Sequence, residues 1–418
     1  MVKRFFVIAN LYIIWYSTAY FIMLMISLTV AQKRSGPIKG RHPWVFSGAL
    51  LKIPEGLKSG DTVKLVDETG AFLAHGYFNS YSQIAVRLWS WDADETIDRS
   101  FFEKKIQAAL DLRERFVASK ETNGYRVVYG ENDLLPGLVV DRYADYAVVQ
   151  FHNAGIAAWK KEITAALVNI LEPKGIYERS DMKTRHLEAG ETEEKNNLLY
   201  GKVPDHIKIK ENGFTFVVDV KTGQKTGFFL DQRDKRAALQ KYVKGKHVLN
   251  CFSYTGGFSV YAAAAGAKST TSVDGSESAL KLAEENFKVN KLDEKKAEFI
   301  LADVKHYLPE QKKGSFDVII LDPPAFVKDR HKVREGLQGY RKINEMALRI
   351  LPENGILVTA SCSAHVSMQD FRFMLSEAAA RTGRTVQIIE TYTHGIDHPE
   401  LVAFTEGEYL KCLFAIVR

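Results

Sequence analysis

From about residue 240 onward the chain alternates strand-like and helix-like segments, and this rhythm constrains the fold more than any other feature. Residues 247–251, 268–273, 297–301, 316–321, 355–361 and 385–392 are short apolar or β-branched runs that read as strands. Residues 258–265, 278–290, 340–351 and 368–382 carry helical spacing between them, and 409–417 reads as a final strand. Strands joined by crossover helices lie side by side and parallel, which predicts an α/β fold with a doubly wound sheet. Ligands of such sheets bind beyond the carboxyl ends of the strands, so function has to be read there.

The first of these strands ends in Asn250-Cys251-Phe252-Ser253-Tyr254-Thr255-Gly256-Gly257-Phe258. A glycine pair before a helix lets backbone approach a ligand closely. The pattern is not GxGxxG, and no GxxxxGK[ST] occurs, so a pyrophosphate cradle is not supported. The second strand ends at Asp274, about twenty residues on, where an acid suits ribose hydroxyls or caps the following helix. The third ends in Ala302-Asp303, the fourth in Asp322-Pro323-Pro324-Ala325-Phe326, and the fifth in Ser361-Cys362-Ser363. Two prolines remove two backbone donors and stiffen the turn, which directs Asp322 and the nearby carbonyls toward the cleft.

The amino-terminal half reads differently. Residues 26–95 hold short β-rich runs (62–66, 71–78 and 83–88) between Gly and Pro turns, which suggests a small barrel. Residues 98–120 have helical spacing, with Phe102, Ile106, Ala109, Leu112 and Phe116 on one face. A second unit has strands at 125–129, 137–140, 146–151, 175–178 and 214–220, a helix at 157–171, and a polar loop at 188–197.

A hydrophobic fraction of 46% and a charged fraction of 26% exclude a largely disordered or fibrous chain. Three cysteines cannot build a disulfide framework, and no Cys/His cluster points to a metal. The net charge of +6 is only mildly basic, and Lys3 and Arg4 supply two of those charges. Any nucleic-acid contact must therefore come from local basic surface. Residues 5–25 are uncharged and long enough to cross a bilayer behind Lys3 and Arg4. Because the rest reads as a cytoplasmic enzyme, we take 1–24 as an over-extended start, with Met23 or Met25 as the native first residue. The alternative is an inner-membrane anchor through 5–25.

The glycine turn, the acid after strand two, Asp303 and the Asp-Pro-Pro turn, in this order on a βα framework, resemble class I S-adenosylmethionine-dependent methyltransferases. Lys221-Thr222-Gly223-Gln224-Lys225-Thr226-Gly227-Phe228-Phe229-Leu230-Asp231-Gln232-Arg233 narrows the likeness, as do Gly339-Tyr340-Arg341-Lys342-Ile343-Asn344 and Ser361-Cys362-Ser363. With them the chain is similar to the bacterial 23S rRNA (cytosine-5)-methyltransferase family of the RlmI type. Arg41-His42-Pro43-Trp44-Val45-Phe46-Ser47-Gly48-Ala49 matches the start of that family's PUA domain. The resemblance implies a PUA-like RNA-binding barrel over 25–97, an α/β linking domain over 98–212 and a Rossmann-like methyltransferase domain over 213–418.

By the same resemblance the donor is S-adenosylmethionine, bound by Phe229, Arg233, Phe252, Tyr254, Gly256, Asp274, Ser276, Asp303 and Asp322. Asp274 is expected at the ribose, Asp303 at the adenine amino group, and the 252–257 turn at the methionine portion. Phe229 and Tyr254 could equally be core aromatics. The implied reaction methylates carbon 5 of a cytosine through a covalent adduct, with Cys362 as nucleophile and Asp322 at ring nitrogen 3. Cys251 sits within the cofactor turn and Cys412 reads as a buried strand residue. His306, His331 and His365 are candidates for the base. Lys328, Arg330, Tyr340, Arg341 and Lys342 follow the catalytic turn as a basic run with an interleaved aromatic, suited to phosphates and a stacked base. The expected partner is 23S rRNA or another structured RNA, without metal; a homodimer is compatible with these features. The competing enzymatic reading is N-methylation of guanine or adenine, which also uses an acid-Pro-Pro turn but normally with an aromatic directly after it and no cysteine.

Overall fold

The computed structural model describes residues 25–180, 195–327 and 329–418. The apolar leader 1–24, residues 188–194 of the expected polar loop and Lys328 lie outside the described residues.

The first unit is a five-stranded sheet in the order β1-β3-β4-β5-β2. Its strands are β1 (Ile26–Thr29), β2 (Trp44–Phe46), β3 (Thr62–Val66), β4 (Phe72–Phe78) and β5 (Ile84–Ser90). Strict alternation in β3 turns Val63 and Leu65 inward against Leu28, Val86 and Leu88. Helix α1 (Arg99–Phe116) follows, capped by Asp98, whose carboxylate accepts the Phe101 N–H at 3.0 Å. Its buried stripe is Phe101, Phe102, Ile106, Ala109, Leu110 and Arg113. Phe116, expected on that stripe, is 56% exposed. The helix runs past the core edge, and the last inward position is held by Arg113.

The second unit is a sheet in the order β10-β9-β8-β7-β6. It contains β6 (Gly124–Tyr129), β7 (Leu138–Tyr143), β8 (Tyr146–Phe151), β9 (Gly175–Ser180) and β10 (Lys195–Gly201). Lys195, Asn196 and Asn197, read from sequence as loop, thus belong to a strand. Among the described residues of this sheet only β8 and β9 pair in parallel, joined by the crossover helix α2 (Lys160–Leu171). The single helix expected over 157–171 is broken at Trp159, after a short helical stretch at Ala154–Ala158. A hairpin, β11 (His206–Glu211) and β12 (Phe214–Asp219), leads into the third unit. A division at 212/213 would fall in the turn of this hairpin. Its edge is covered by the third unit: Asn290 and Asn286 accept the N–H groups of Thr215 and Val217 at 2.9 and 2.7 Å.

The third unit is a seven-stranded sheet in the order β15-β14-β13-β16-β17-β19-β18. The strands are β13 (His247–Cys251), β14 (Ser269–Asp274), β15 (Ala297–Leu301), β16 (Val318–Leu321), β17 (Gly355–Ser361), β18 (Val386–Tyr392) and β19 (Lys411–Val417). Helices α3 (Arg233–Leu239), α4 (Gly257–Ala264), α5 (Glu277–Val289), α6 (Val333–Ile350) and α7 (Met368–Thr382) cover its faces. Strand order reverses between β13 and β16, which opens the crevice described below. One correction applies to the parallel sheet expected from sequence: β19 runs antiparallel to both β17 and β18. The segment from β18 to β19 contains no crossover helix, so the chain simply folds back between its neighbours.

The second unit meets the third at Asp397, among buried arginine ion pairs that each lie within one unit. Arg113 contacts both Asp133 oxygens at 2.7 Å and donates to the Asp397 carbonyl at 2.9 Å. Arg126 contacts both Asp141 oxygens at 2.7 and 2.9 Å, and its backbone N–H donates to Asp397 Oδ2 at 3.0 Å. Arg233 forms an ion pair with the other Asp397 oxygen.

Candidate active site

The crevice begins at the turn after β13. Phe252, Tyr254 and Gly256 all adopt the left-handed backbone conformation, with φ of 59°, 47° and 75°. For the two aromatic residues this costs on the order of 1–3 kcal/mol each and needs support from the surroundings. Asp274, at the end of β14, provides it by accepting the Tyr254 N–H at 2.8 Å. The Tyr254 hydroxyl donates to the Gly227 carbonyl at 3.0 Å and accepts the Gln224 N–H at 2.9 Å. Gly256 packs so tightly on α5 that a Cβ would lie 2.9 Å from the Ala283 Cβ. The other Asp274 oxygen accepts the Ser276 N–H at 2.9 Å, and the cap of α5 is Ser276 itself, through the Ala279 N–H. Asp274 is therefore not the helix cap; it orders the turn and faces the cleft.

The loop 221–232 supplies the opposite wall. Phe229 meets Tyr254 edge to face, with centroids 5.2 Å apart. Lys225 lies 4.6 Å from the Phe229 ring and forms an ion pair with Asp231 at 2.7 Å. Gln232 Nε2 donates to Asp322 Oδ2 at 2.9 Å. Burial opposes ionisation of Asp231, but Lys225, His398 and Lys235 outweigh it and hold the carboxyl well below its ordinary value.

The floor is made by Asp322-Pro323-Pro324 after β16 and by Cys362 after β17. Burial, reinforced by the negative charge of Asp231, raises Asp322 to about 6. Burial pushes the Cys362 thiol up to about 11, with Lys225 pulling the other way and Asp322 and Asp231 adding to the rise. The Cys362 Sγ lies 4.0 Å from the Pro323 carbonyl. Its neighbour Ser363 is anchored twice: Ser363 Oγ shares a 2.8 Å hydrogen bond with the Tyr340 hydroxyl, and Lys411 Nζ donates to the Ser363 carbonyl at 2.7 Å. Cys251 is the last residue of β13, fully buried in the sheet rather than within the turn, and Cys412 is equally buried in β19. Burial raises both thiols.

The result is a cleft with about 200 Å³ of free space. Of the residues assigned from sequence, it brings together Phe229, Phe252, Tyr254, Asp274, Asp322 and Cys362. Arg233, Gly256, Ser276 and Asp303 do not line it. Arg233 is committed to Asp397. Asp303 caps a short helical turn by accepting the Lys305 N–H at 2.8 Å. His306, His331 and His365 are exposed and outside the cleft. The family likeness also implies that the stretch 224–233 lines the donor pocket; Gln224, Lys225, Phe228, Phe229, Asp231 and Gln232 line the cleft, and within that stretch Asp231 and Gln232 were not singled out individually. The signal was the polar run Asp231-Gln232-Arg233 after an apolar triplet, but spacing does not tell which of the three turn inward.

The expected RNA-binding run is also redistributed. Tyr340 is fully buried among Phe326 and Phe371 and cannot stack on a base, because its position on α6 belongs to the inward stripe with Ile343, Asn344 and Ala347. Arg341 is paired with Glu345 at 3.1 Å and with Glu377 at 3.6 Å. Arg330 and Lys342 are exposed. An exposed aromatic near this run is Phe373 on α7, 67% accessible, in a groove between α6 and α7 that also holds Arg330, His331, Arg334 and Arg381 together with Asp370 and Glu377.

Comparison with known proteins fits this geometry. A family model for S-adenosylmethionine-dependent methyltransferases matches residues 183–414, and one for PUA-like domains matches residues 28–91. A ribosomal RNA large subunit methyltransferase I from Tolumonas auensis is 43% identical over 89% of this chain and 94% of its own length. The chain belongs to this family. The member from Aliivibrio fischeri is 41% identical over 93% of this chain and 98% of its own. Among solved structures, a chain assigned as a SAM-dependent methyltransferase from Streptococcus mutans has a TM-score of 0.80 at 27% identity, covering 94% of this chain and all of that one. Another, solved as a complex with SAH, has a TM-score of 0.81 at 27% identity with the same coverage. Members of this family are S-adenosylmethionine-dependent methyltransferases, built here from a PUA-like unit, a linking unit and a class I α/β sheet.

The cleft suits that donor on its own evidence. Gln232 Oε1, Ser253 Oγ and Thr255 Oγ1 line it, are buried, and have no hydrogen-bond partner. Such atoms are costly unless a ligand satisfies them. Asp274 would face the ribose, the strained turn the methionine portion, and Phe229, Phe252 and Tyr254 the apolar surfaces.

Proposed function

We propose that the chain transfers the methyl group of S-adenosylmethionine to carbon 5 of a cytosine in 23S rRNA, with Cys362 as covalent nucleophile. The observation that carries this reading is the placement of the three cysteines: Cys251 and Cys412 are packed inside the sheet, and Cys362 alone lines the cleft, beside Asp322. The donor supplies an electrophilic methyl group. Carbon 5 of cytosine is too poor a nucleophile to take it unaided. The Cys362 thiolate adds to carbon 6 and makes carbon 5 enamine-like, while a proton at ring nitrogen 3 balances the added electron pair. Asp322 fits the second task. With the carboxyl near 6 and the thiol near 11, the pair holds one proton over the range between. Passing that proton from sulfur to the carboxylate gives the thiolate and the acid together.

Methylation at a ring or exocyclic nitrogen of guanine or adenine leaves Cys362 without a task. Phe326, the nearest aromatic after the Asp-Pro-Pro turn, packs 4.6 Å from the Tyr340 ring. RNA contact is assigned to the PUA-like unit and to the basic groove around Phe373, where an aromatic among arginines can stack a base. A 23S rRNA substrate places this work in the cytoplasm. Among the described residues no helix is long and apolar enough to cross a membrane. The test is Cys362→Ala. Methyl transfer to RNA falls to background while donor affinity stays within about twofold; transfer at the unmodified rate would overturn the covalent route.

A further inference from the structure

The covalent route requires a group that takes the proton from carbon 5, and no histidine expected in that role reaches the cleft. Asp231 does. It is 2% exposed, and its Oδ2 is engaged: it accepts from Lys225 Nζ at 2.7 Å and from the Tyr409 hydroxyl. Its Oδ1 is buried and has no hydrogen-bond partner. Leaving a buried carboxylate oxygen unsatisfied costs about 1–3 kcal/mol or more, and the two-point hold on Oδ2 keeps it that way. The backbone carbonyl of the same residue is fixed by Lys235 Nζ. Asp231 and Asp322 share the cleft, and their surroundings divide them. Lys225 and Lys235 keep Asp231 ionised, whereas Asp322 retains a proton more readily. Two carboxyls driven apart in this way are matched to one accepting and one donating task.

We propose that Asp231, through Oδ1, is the general base that removes the carbon-5 proton after methyl transfer. In that step the carbon-5–hydrogen bond breaks, and its electron pair forms the carbon-5–carbon-6 double bond. The carbon-6–sulfur bond breaks with its pair returning to Cys362 as thiolate. The proton at ring nitrogen 3 goes back to the Asp322 carboxylate, and the proton on Asp231 is released to solvent with the product. This inference rests on the carbon-5 reading, and the two can fail separately.

The test uses the full chain, labelled S-adenosylmethionine and two transcripts of a bacterial 23S rRNA. A transcript containing 5-fluorocytidine has no removable proton at carbon 5, so the unmodified enzyme should be trapped as a methylated complex linked through Cys362. Absence of that complex removes the carbon-5 reading and this inference with it. The second transcript carries tritium at carbon 5 of its cytidines. Asp231→Asn should take up methyl label on this RNA, retain the tritium, and accumulate as an SDS-stable methylated complex. Tritium release should be slower than in the unmodified enzyme by about 10²–10⁴-fold, the usual contribution of a positioned base. If the fluorinated transcript traps the unmodified enzyme but Asp231→Asn releases tritium at the normal rate, the inference is wrong and the reading stands. Loss of donor binding in Asp231→Asn with no complex formed would likewise overturn it, and would assign Asp231 to the donor. Should the Asn variant not unfold cooperatively, Asp231→Ala is assayed with and without formate: formate-dependent tritium release supports the base role, and formate-independent release contradicts it.

Discussion

Two buried polar regions meet along Asp231-Gln232-Arg233, and they are built in opposite ways. On the Arg233 side, at the seam between the linking unit and the large sheet, polar groups find partners: Arg113 pairs with Asp133 and Arg126 with Asp141 inside the linking unit, Arg233 pairs with Asp397 inside the third, and the Arg113 side chain and the Arg126 N–H bond Asp397 across the seam. Burial pushes against the Asp397 carboxylate, yet His398 and Arg233 hold it far below its ordinary value. On the other side, in the cleft, Asp231 Oδ1, Gln232 Oε1, Ser253 Oγ and Thr255 Oγ1 are buried without partners. Buried polar groups that satisfy one another fix the relative position of two units. Buried polar groups left open define where something else has to bind. Consecutive residues of one chain serve both ends, so the cleft wall is held by the same seam that joins the units.

The sharpest way to separate the two regions is to change one residue in each. Asp322→Asn in the cleft should lower methyl transfer by about 10²–10⁴-fold and leave thermal unfolding nearly unchanged. Its pH profile should change as well. In the unmodified enzyme kcat/KM should rise about tenfold per pH unit up to about 6 and then level, because one shared proton on the Asp322–Cys362 pair suffices between about 6 and about 11. Without the carboxyl the break near 6 disappears and the rise continues toward the thiol. A break that persists in the variant would assign it to another group. Arg126→Met in the seam should do the reverse. It strands the buried Asp141 carboxylate, which costs about 3–5 kcal/mol of stability in denaturant unfolding, while Cys362 and Asp322 keep their chemistry in the fraction that remains folded. Equal stability would mean that the buried Arg126–Asp141 pair does not help to hold the linking unit together. The smallest effect is expected from Tyr340→Phe, which removes the hydroxyl bonded to Ser363 and costs about 0.5–1.5 kcal/mol. RNA affinity should not move; a clear loss would assign the Tyr340 hydroxyl an RNA contact that its burial denies.

Much of the large sheet was legible in the sequence, because each strand is a short apolar run between glycine or proline turns and each crossover helix has a clear stripe. The limits of β13, β15, β17 and α7 match the expected ones. The direction of β19 was not legible, since nothing local in an apolar run states which way it pairs. The first turns of α6, from Val333, were missed because Gly336 and Gly339 are weak helix formers set in a basic run. In the structure Gly336 is there for contact: a Cβ would lie 2.1 Å from Val327. Site residues at strand ends, Asp274, Asp322 and Cys362, were legible for the same reason the strands were. Asp231 and Gln232 come from a loop that precedes the sheet, where no periodicity says what faces inward. Tyr340 shows the opposite case: helical spacing with Ile343 and Ala347 already placed it in the core, and its charged neighbours drew it to the surface.

The most direct test of the carbon-5 assignment is the identity of the methylated nucleoside. The full chain is incubated with large-subunit ribosomal RNA and methyl-labelled S-adenosylmethionine, and the RNA is digested to nucleosides. Label in 5-methylcytidine is the expected result. Label confined to a nitrogen-methylated guanosine or adenosine would contradict the role given to Cys362 and the chemistry built on it.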